Sequence, residues 1–177
     1  AFGECTVSVF NFCGDSVSHE GASYGTVDIG GQCWFTSNLR YLPSVSPSSL
    51  GEDYHPYYYV YGYEGTDVSA AQSSIDYVNY GALYNYAAVT TSGVCPPGWH
   101  IPSDADFTNT TTYSGGDPIA GKYFKSTYSW PLGAGTYSRR LDLMPGWFLV
   151  TVGQFADQGP SAFLWSCLFY TSNAHSD

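Results

Sequence analysis

The stretch 95–106 constrains the fold of this chain more than any other, because it combines one cysteine, three prolines, one glycine and one tryptophan. Pro102 stops any helix from running in from its N-terminal side. Ser103 can then cap a new helix, and two aspartates follow in the first turn, where carboxylates favour the exposed N–H groups. The sequence therefore predicts a stiff turn that buries Trp99 and opens a helix over about residues 103–113.

The composition is typical of an extracellular protein rich in β-structure. Aromatic residues make up 18% of the 177 residues, and 15 acidic against five basic residues give a net charge of -10. Since phosphate backbones and anionic lipids both require a basic surface, we expect neither nucleic-acid binding nor membrane docking. The apolar runs are too short to cross a membrane. The chain opens at Ala1 without Met, as expected of a processed, exported product.

The five cysteines predict disulfide bonds. They form neither a Cys-x-x-Cys pair nor the Cys/His spacing of a zinc site. In an oxidising compartment we expect one or two disulfides and at least one free thiol, since the number of cysteines is odd. Buried free thiols in a reducing compartment are the alternative, which this composition disfavours. The pairing stays open among Cys5, Cys13, Cys33, Cys95 and Cys167.

The pattern of apolar residues predicts an α+β domain with two short helices, antiparallel strands and long loops. Gly30 and Gly31 separate two alternating segments and indicate a hairpin turn, because glycine adopts positive φ easily. Polar or Pro/Ser-rich stretches at 15–23 and 43–56 indicate surface loops. The predicted strands are 5–10, 24–29, 32–36, 57–63, 141–144, 147–152 and 162–170, and the predicted helices are 82–89 and 103–113.

The segment 57–63 is unusually rich in tyrosine. In a strand, side chains two positions apart point to the same face. Four rings would then form a stacking platform for sugars, namely Tyr57, Tyr59, Tyr61 and Tyr63. The alternative is a half-buried strand or loop whose hydroxyl groups reach water, since tyrosine is common in β-structure.

Seven short motifs carry a resemblance to a known family. The most specific is Cys-Pro-Pro-Gly-Trp-His-Ile-Pro-Ser-Asp-Ala-Asp at 95–106. The others are Thr-Val-Asp-Ile-Gly-Gly-Gln-Cys-Trp at 26–34, the tyrosine-rich 58–68, Tyr-Gly-Ala-Leu-Tyr-Asn at 80–85, and shorter matches at 120–126, 143–146 and 164–166. Their order resembles that in the Fibrobacter succinogenes major paralogous domain, common in Bacteroidetes and Fibrobacteres. The resemblance covers roughly residues 22–174.

The resemblance implies a C-type-lectin-like fold in a secreted or surface-anchored protein without an assigned enzymatic activity. We divide the chain into an N-terminal strand or arm, 1–21, and a lectin-like domain, 22–177. We expect the structural core of that domain to include the following residues: Trp34, Trp99, Pro102 and Trp165.

The N-terminal arm precedes the matched domain, is not part of it, and contains an apolar strand. Its apolar side chains are Val7, Val9, Phe10 and Phe12. Such an arm could pair with the sheet edge of a neighbouring subunit by strand addition. The equally weighted alternative is an edge strand that folds back on its own domain.

Candidate catalytic and metal-binding residues are few. His100 could serve Cys95 or a serine as a base. No nucleophile signature accompanies it, so we expect no enzymatic activity. Asp104, Asp106 and Asp117 are close in sequence and are candidates for a structural Ca²⁺, which prefers clustered oxygen ligands. We expect no other cofactor.

Two short motifs indicate candidate modification sites. Asn109 begins an Asn-Thr-Thr sequon, although it falls within the helix predicted over 103–113. Ser16 lies in Asp-Ser-Val, which resembles the O-glycosylation motif used by Bacteroidetes.

These observations predict an extracellular or cell-surface, non-enzymatic protein that is adhesive or forms a subunit of a surface fibre. Its expected partners are further copies of itself or other surface proteins. The alternative is a carbohydrate-binding, lectin-like module that binds glycans through exposed tyrosine and tryptophan rings.

Overall fold

The fold is mixed α+β, built from short elements. The computed structural model describes residues 3, 5–7, 13–127, 130, 135, 141, 143–144, 146, 148–151, 153–156 and 162–166. Over these residues the chain forms nine short strands and five short helices. The α+β class predicted from the sequence is therefore confirmed. Within the described residues, no helix is long and apolar enough to cross a membrane.

The strands form four small antiparallel sheets. The largest has the order β1-β5-β4, and the other three are the pairs β2-β3, β6-β7 and β8-β9. The bounds are β1 Thr6–Val7, β2 Val17–His19, β3 Ala22–Tyr24, β4 Thr26–Ile29, β5 Gln32–Phe35, β6 Tyr58–Tyr59, β7 Leu83–Tyr84, β8 Phe148–Thr151 and β9 Gln154–Ala156.

The hairpin of β4 and β5 confirms the prediction made from its two glycines. Gly30 and Gly31 have φ of 68° and 79°, the left-handed region that a tight hairpin turn requires. All four residues of β5 are buried, so the hairpin has core on both faces. Trp34 and Phe35 point to opposite faces, as neighbours in a strand do, and each enters a different apolar cluster.

The main cluster surrounds Trp99, and the second surrounds Trp34. Trp99 is 8% exposed, and its ring centroid lies 4.6 Å from that of Phe35. Trp34 is fully buried and packs with Phe124 and other apolar side chains. Both tryptophans and Pro102 are buried, as predicted, whereas the fourth predicted core residue, Trp165, is half-buried and packs against the main cluster.

The helices number five in the described residues, where the sequence predicted two. Their bounds are α1 Val68–Gln72, α2 Ile75–Tyr80, α3 Tyr86–Val89, α4 Asp104–Tyr113 and α5 Asp117–Phe124. The prediction for α4 is confirmed, including its cap. The predicted helix 82–89 is wrong in its first half, because the buried pair Leu83 and Tyr84 forms β7 against β6.

The turn before α4 ends in a capping box. The Asp106 N–H donates to Ser103 Oγ at 3.2 Å, and the Ser103 N–H donates back to Asp106 Oδ2 at 2.7 Å. These bonds satisfy two backbone donors that would otherwise lack partners at the helix start. The helix direction is therefore fixed relative to the turn that buries Trp99.

The N-terminal segment folds back on its own domain where it is described. Thr6 pairs with Trp34 and also exchanges backbone hydrogen bonds with His100, at 2.8 and 2.9 Å. The Gly3 carbonyl accepts from the Leu39 N–H at 2.8 Å. Of the two alternatives for the arm, these contacts match the folded-back strand. Residues 8–10 of the predicted strand 5–10 lie outside the described residues.

Two other sequence predictions need correction. The predicted loop 15–23 contains the hairpin β2-β3, whose turn at Glu20 and Gly21 has positive φ. Near the C-terminus, β8 lies within the predicted strand 147–152, whereas residues 162–166 belong to no named strand. The rest of the predicted strand 162–170 lies outside the described residues.

Four of the five cysteines form two disulfides. Cys5 pairs with Cys95 and joins the N-terminal strand to the turn that carries Trp99. Cys13 pairs with Cys33 and joins the segment before β2 to β5. Two disulfides agree with the sequence prediction, and Cys167 lies outside the described residues.

Candidate functional site

An aromatic cleft of about 230 Å³ opens beside the β6-β7 pair. It combines residues from three separated parts of the chain: the loop before β6, the junction of β7 and α3, and the C-terminal segment. Its lining consists of Asp53, Tyr59, Leu83, Tyr84, Asn85, Tyr86 and Trp165. We call these seven residues the aromatic cleft.

Asn85 builds the cleft by joining α3 to the loop before β6. Its Oδ1 accepts from the Tyr57 and Ala88 N–H groups, both at 2.9 Å. Its Nδ2 donates to the Glu52 and His55 carbonyls, at 2.8 and 2.7 Å. Because these four bonds use the full capacity of the amide, Asn85 is a positioning residue and leaves ligand contact to its neighbours.

Two aromatic rings form the accessible wall of the cleft. Tyr86 opens α3 and is 38% exposed. Trp165 is half-buried, and its ring centroid lies 6.0 Å from that of Tyr86. The Trp165 Nε1–H donates to the Tyr84 carbonyl at 2.9 Å, which fixes the indole while leaving part of it open. An indole held in this way can bind with little further loss of side-chain entropy.

The polar part of the cleft is one carboxylate. Asp53 is exposed and has no hydrogen-bond partner or ion pair within the described part of the chain. Its neighbour Glu52 is engaged instead, since it accepts from the Tyr57 hydroxyl at 3.4 Å and contacts His55 Nδ1 at 3.3 Å. The cleft therefore offers flat apolar rings beside a free hydrogen-bond acceptor.

The four tyrosines predicted to share one open face do not do so. Tyr59 is 3% exposed, and its hydroxyl donates to the Leu50 carbonyl at 2.9 Å. Burial, with a smaller effect from Tyr57, raises the pKa of Tyr59 to about 12. Tyr61 packs against the same small cluster, whereas Tyr63 packs against the main one. The strand β6 ends at Tyr59, so the alternation required for a platform stops there.

The three aspartates predicted as calcium ligands differ in burial and in hydrogen bonding. Asp106 is 8% exposed and accepts from Ser103, His100 Nε2 and Gln32 Nε2. Asp104 and Asp117 are exposed. Within the described residues, no three His, Cys, Asp or Glu side chains form a group that could hold a metal ion.

The buried network around Asp106 also lowers its pKa. Burial by itself would raise that pKa, but the hydrogen bonds from Ser103 and the contact with His100 outweigh burial, so the pKa lies below its ordinary value. Gln32 extends the network, because its Oε1 accepts from Asn109 Nδ2 and Thr110 Oγ1, both at 3.0 Å. The network joins β5, the turn and α4 through buried polar groups.

The candidate catalytic pair has structural partners. Cys95 is in a disulfide, so its sulfur is not a free thiol. His100 Nε2 lies 3.1 Å from Asp106 Oδ2.

The two candidate modification sites differ in how accessible their side chains are. Ser16 is exposed, whereas the Asn109 Nδ2, the atom that would carry a glycan, donates to the Gly30 carbonyl as well as to Gln32.

The fold and the cleft define an α+β domain that has two internal disulfides and an aromatic surface site. The model of the family described as Fibrobacter succinogenes major domain matches residues 27–176, and the chain belongs to that family. Searches of curated proteins and of solved structures each found no match.

Proposed function

We propose that this chain is a non-enzymatic, extracellular surface protein that acts in adhesion, with the aromatic cleft as its contact surface. The observation that carries the proposal is the wall of Tyr86 and Trp165, two partly exposed rings in contact with each other, of which Trp165 is held by a hydrogen bond. Aromatic residues of this kind supply most of the binding energy in many protein interfaces. The free carboxylate of Asp53 adds a polar contact at the same place.

Two further observations support an extracellular location. The pairs Cys5–Cys95 and Cys13–Cys33 fit an oxidising compartment, where disulfides form and persist. Membership of the Fibrobacter succinogenes major domain family supports a surface protein. The net charge of -10 keeps such a protein away from anionic lipid and nucleic acid.

We include the C-type-lectin-like fold in this proposal. It is supported by the buried Trp99 turn, by the capped helix that follows, and by small antiparallel sheets joined through long loops. The described helices and sheets fit that architecture without defining it, since α+β domains of several topologies share these parts.

An array of glycans and extracellular proteins tests the adhesive role. We expect the labelled full chain to bind at least one array component and Tyr86→Ala to bind it about tenfold more weakly, as the loss of one stacked ring predicts. Tyr113→Ala is the matched control, because Tyr113 is 55% exposed on α4 and does not line the cleft. Equal binding by both variants and the wild type would contradict the cleft as the contact surface.

The same array separates a carbohydrate-binding module from a protein-binding adhesin. The arrangement of flat rings beside Asp53 favours the carbohydrate alternative, because sugars present apolar faces to rings and hydroxyl donors to carboxylates. Saturable binding to glycans that is weakened in Tyr86→Ala would support it. Binding to proteins alone would support adhesion without lectin activity.

Self-association into a fibre is the second role that we propose. Ile75 and Val78 lie one turn apart on α2 and are 68% and 50% exposed, which provides an apolar contact for another copy. We expect sedimentation velocity to show concentration-dependent assembly that Ile75→Ser weakens, with Ser69→Ala on α1 as the control. A monodisperse monomer at high concentration would rule out this fibre role.

A further inference from the structure

A second cavity, about 530 Å³ in volume, lies between the β2-β3 turn and the helices α1 and α2. Small-molecule clefts in proteins have volumes of this order. Its polar lining comes from three elements that are distant in sequence: Glu20 and Ser23 from the hairpin, Arg40 from the segment after β5, and Gln72 and Tyr77 from the helices.

Arg40 is fixed in this cavity by its own backbone and side chain. Its N–H donates to the Tyr24 hydroxyl at 2.9 Å, and its carbonyl accepts from the Tyr77 hydroxyl at 2.7 Å. The guanidinium Nη2 donates to the Val78 carbonyl at 3.0 Å. The Nε is buried and has no hydrogen-bond partner within the described part of the chain. The guanidinium is therefore oriented and partly removed from water.

Arg40 forms no direct ion pair inside the described part of the chain. The chain has 15 acidic residues against five basic ones. Even so, the two ion pairs of the described residues both involve histidine, and neither involves Arg40. A partly buried cation that no carboxylate contacts directly loses hydration and gains little Coulomb energy in return. A ligand carboxylate would supply that energy, and guanidinium geometry suits a carboxylate well.

Glu20 places the opposite charge on the same cavity. It lies at the tip of the β2-β3 turn with φ of 47°, a conformation uncommon for residues other than glycine. It has no hydrogen bond or ion pair with any residue that the structure describes. A carboxylate here repels ligands that carry only negative charge and attracts an ammonium group.

We propose that this cavity binds a small zwitterion, an α-amino acid, with its carboxylate on the Arg40 guanidinium and its ammonium on the Glu20 carboxylate. Ser23 and Gln72 line the space between the hairpin and the helices and offer polar contacts to the remaining atoms. The site shares no residue with the aromatic cleft, so it is a function beyond adhesion.

Saturation-transfer NMR on the full chain with each standard L-amino acid tests the proposal. We expect at least one amino acid to bind, and Arg40→Gln to weaken that binding about tenfold or more, the cost of losing one charge-assisted contact. N-acetylation of the bound amino acid removes its positive charge. We expect it to weaken binding to the wild type by a similar factor and to have little effect on Glu20→Gln.

Two control variants carry substitutions outside this cavity. Lys122→Gln removes one positive charge from the exposed side of α5 and should leave binding unchanged, as should Tyr86→Ala in the aromatic cleft. Should Arg40→Gln not fold by circular dichroism, Glu20→Gln, whose side chain is exposed, decides alone. The proposal is overturned if no amino acid binds, if both charge variants bind as the wild type does, or if the N-acetyl derivative binds the wild type equally well.

Discussion

Replacing Cys5 and Cys95 together by alanine is expected to lower the free energy of unfolding by about 4–5 kcal/mol. This disulfide closes a loop with a sequence separation of 90, so its loss gives the unfolded chain a large gain in conformational entropy. It also joins the N-terminal strand to the turn that buries Trp99, and Cys5 itself is fully buried in the main cluster. Urea denaturation followed by tryptophan fluorescence measures the change.

The second disulfide provides the matched comparison. Cys13 and Cys33 are separated by 20 residues, and the same chain-entropy relation gives about 3 kcal/mol for their replacement by alanine. We therefore expect the variant without the Cys5–Cys95 disulfide to unfold at a lower urea concentration than the variant without the Cys13–Cys33 disulfide. If the two variants unfold in the opposite order, or if neither loses stability, the disulfides do not restrict the conformational entropy of the unfolded chain in this way.

Replacing Asp106 by alanine is expected to cost about 3 kcal/mol of folding free energy. The substitution leaves the Ser103 N–H, the His100 ring and the buried Gln32 amide without their acceptor. Unpaired buried donors cost about 1–3 kcal/mol each, and loss of the capping box adds to that. Thermal or urea unfolding measures the effect. Asp104→Ala is the control, because Asp104 lies exposed in the same first turn.

The same carboxylate predicts how stability depends on pH. Burial raises the pKa of Asp106 less than Ser103 and His100 lower it, so the folded pKa lies below the unfolded value of about 3.9. The stabilisation is therefore complete above about pH 4 and is lost as the pH falls through the folded pKa. Asp106→Asn should flatten the acid limb of the stability curve, and Asp104→Asn should not. If the stability of both variants falls equally steeply with decreasing pH, the Asp106 carboxylate does not cause the loss of stability in acid.

The parts of the fold that the sequence predicts well have local causes. The β4-β5 hairpin follows from Gly30 and Gly31, whose positive φ the turn requires. The helix α4 follows from Ser103 and the carboxylates after it, which form the observed capping box. Each of these signals lies within a few residues of the element that it starts, so no tertiary information is needed.

The missed elements are short or depend on partners far along the chain. The helices α1 and α2 have only five and six residues, and their signal lies in the caps Asp67 and Ser74 rather than in apolar periodicity. Leu83 and Tyr84 continue a helical pattern in the sequence, but pairing with β6 places them in a strand. Tertiary contacts outweigh weak helix propensity there.

The cleft could be predicted from the sequence only in fragments. Asn85 is recognisable as a cap before α3, and Trp165 belongs to a motif that carries the family resemblance. Nothing local indicates that Asp53 and Trp165 line one cavity, because folding brings together loops more than a hundred positions apart in the sequence. Of the four tyrosines predicted to form a platform, Tyr59 lines the cleft, and its hydroxyl donates to the Leu50 carbonyl in the preceding loop.

We propose the aromatic cleft as the surface on which this protein holds its ligand. The most direct measurement is a ¹⁵N-labelled titration with the tightest-binding component of the array, followed at the tryptophan indole N–H signals. We expect the signal of Trp165, which lines the cleft, to shift in a saturable way while those of the buried Trp34 and Trp99 stay in place. Saturable binding that leaves the Trp165 signal unmoved would contradict it.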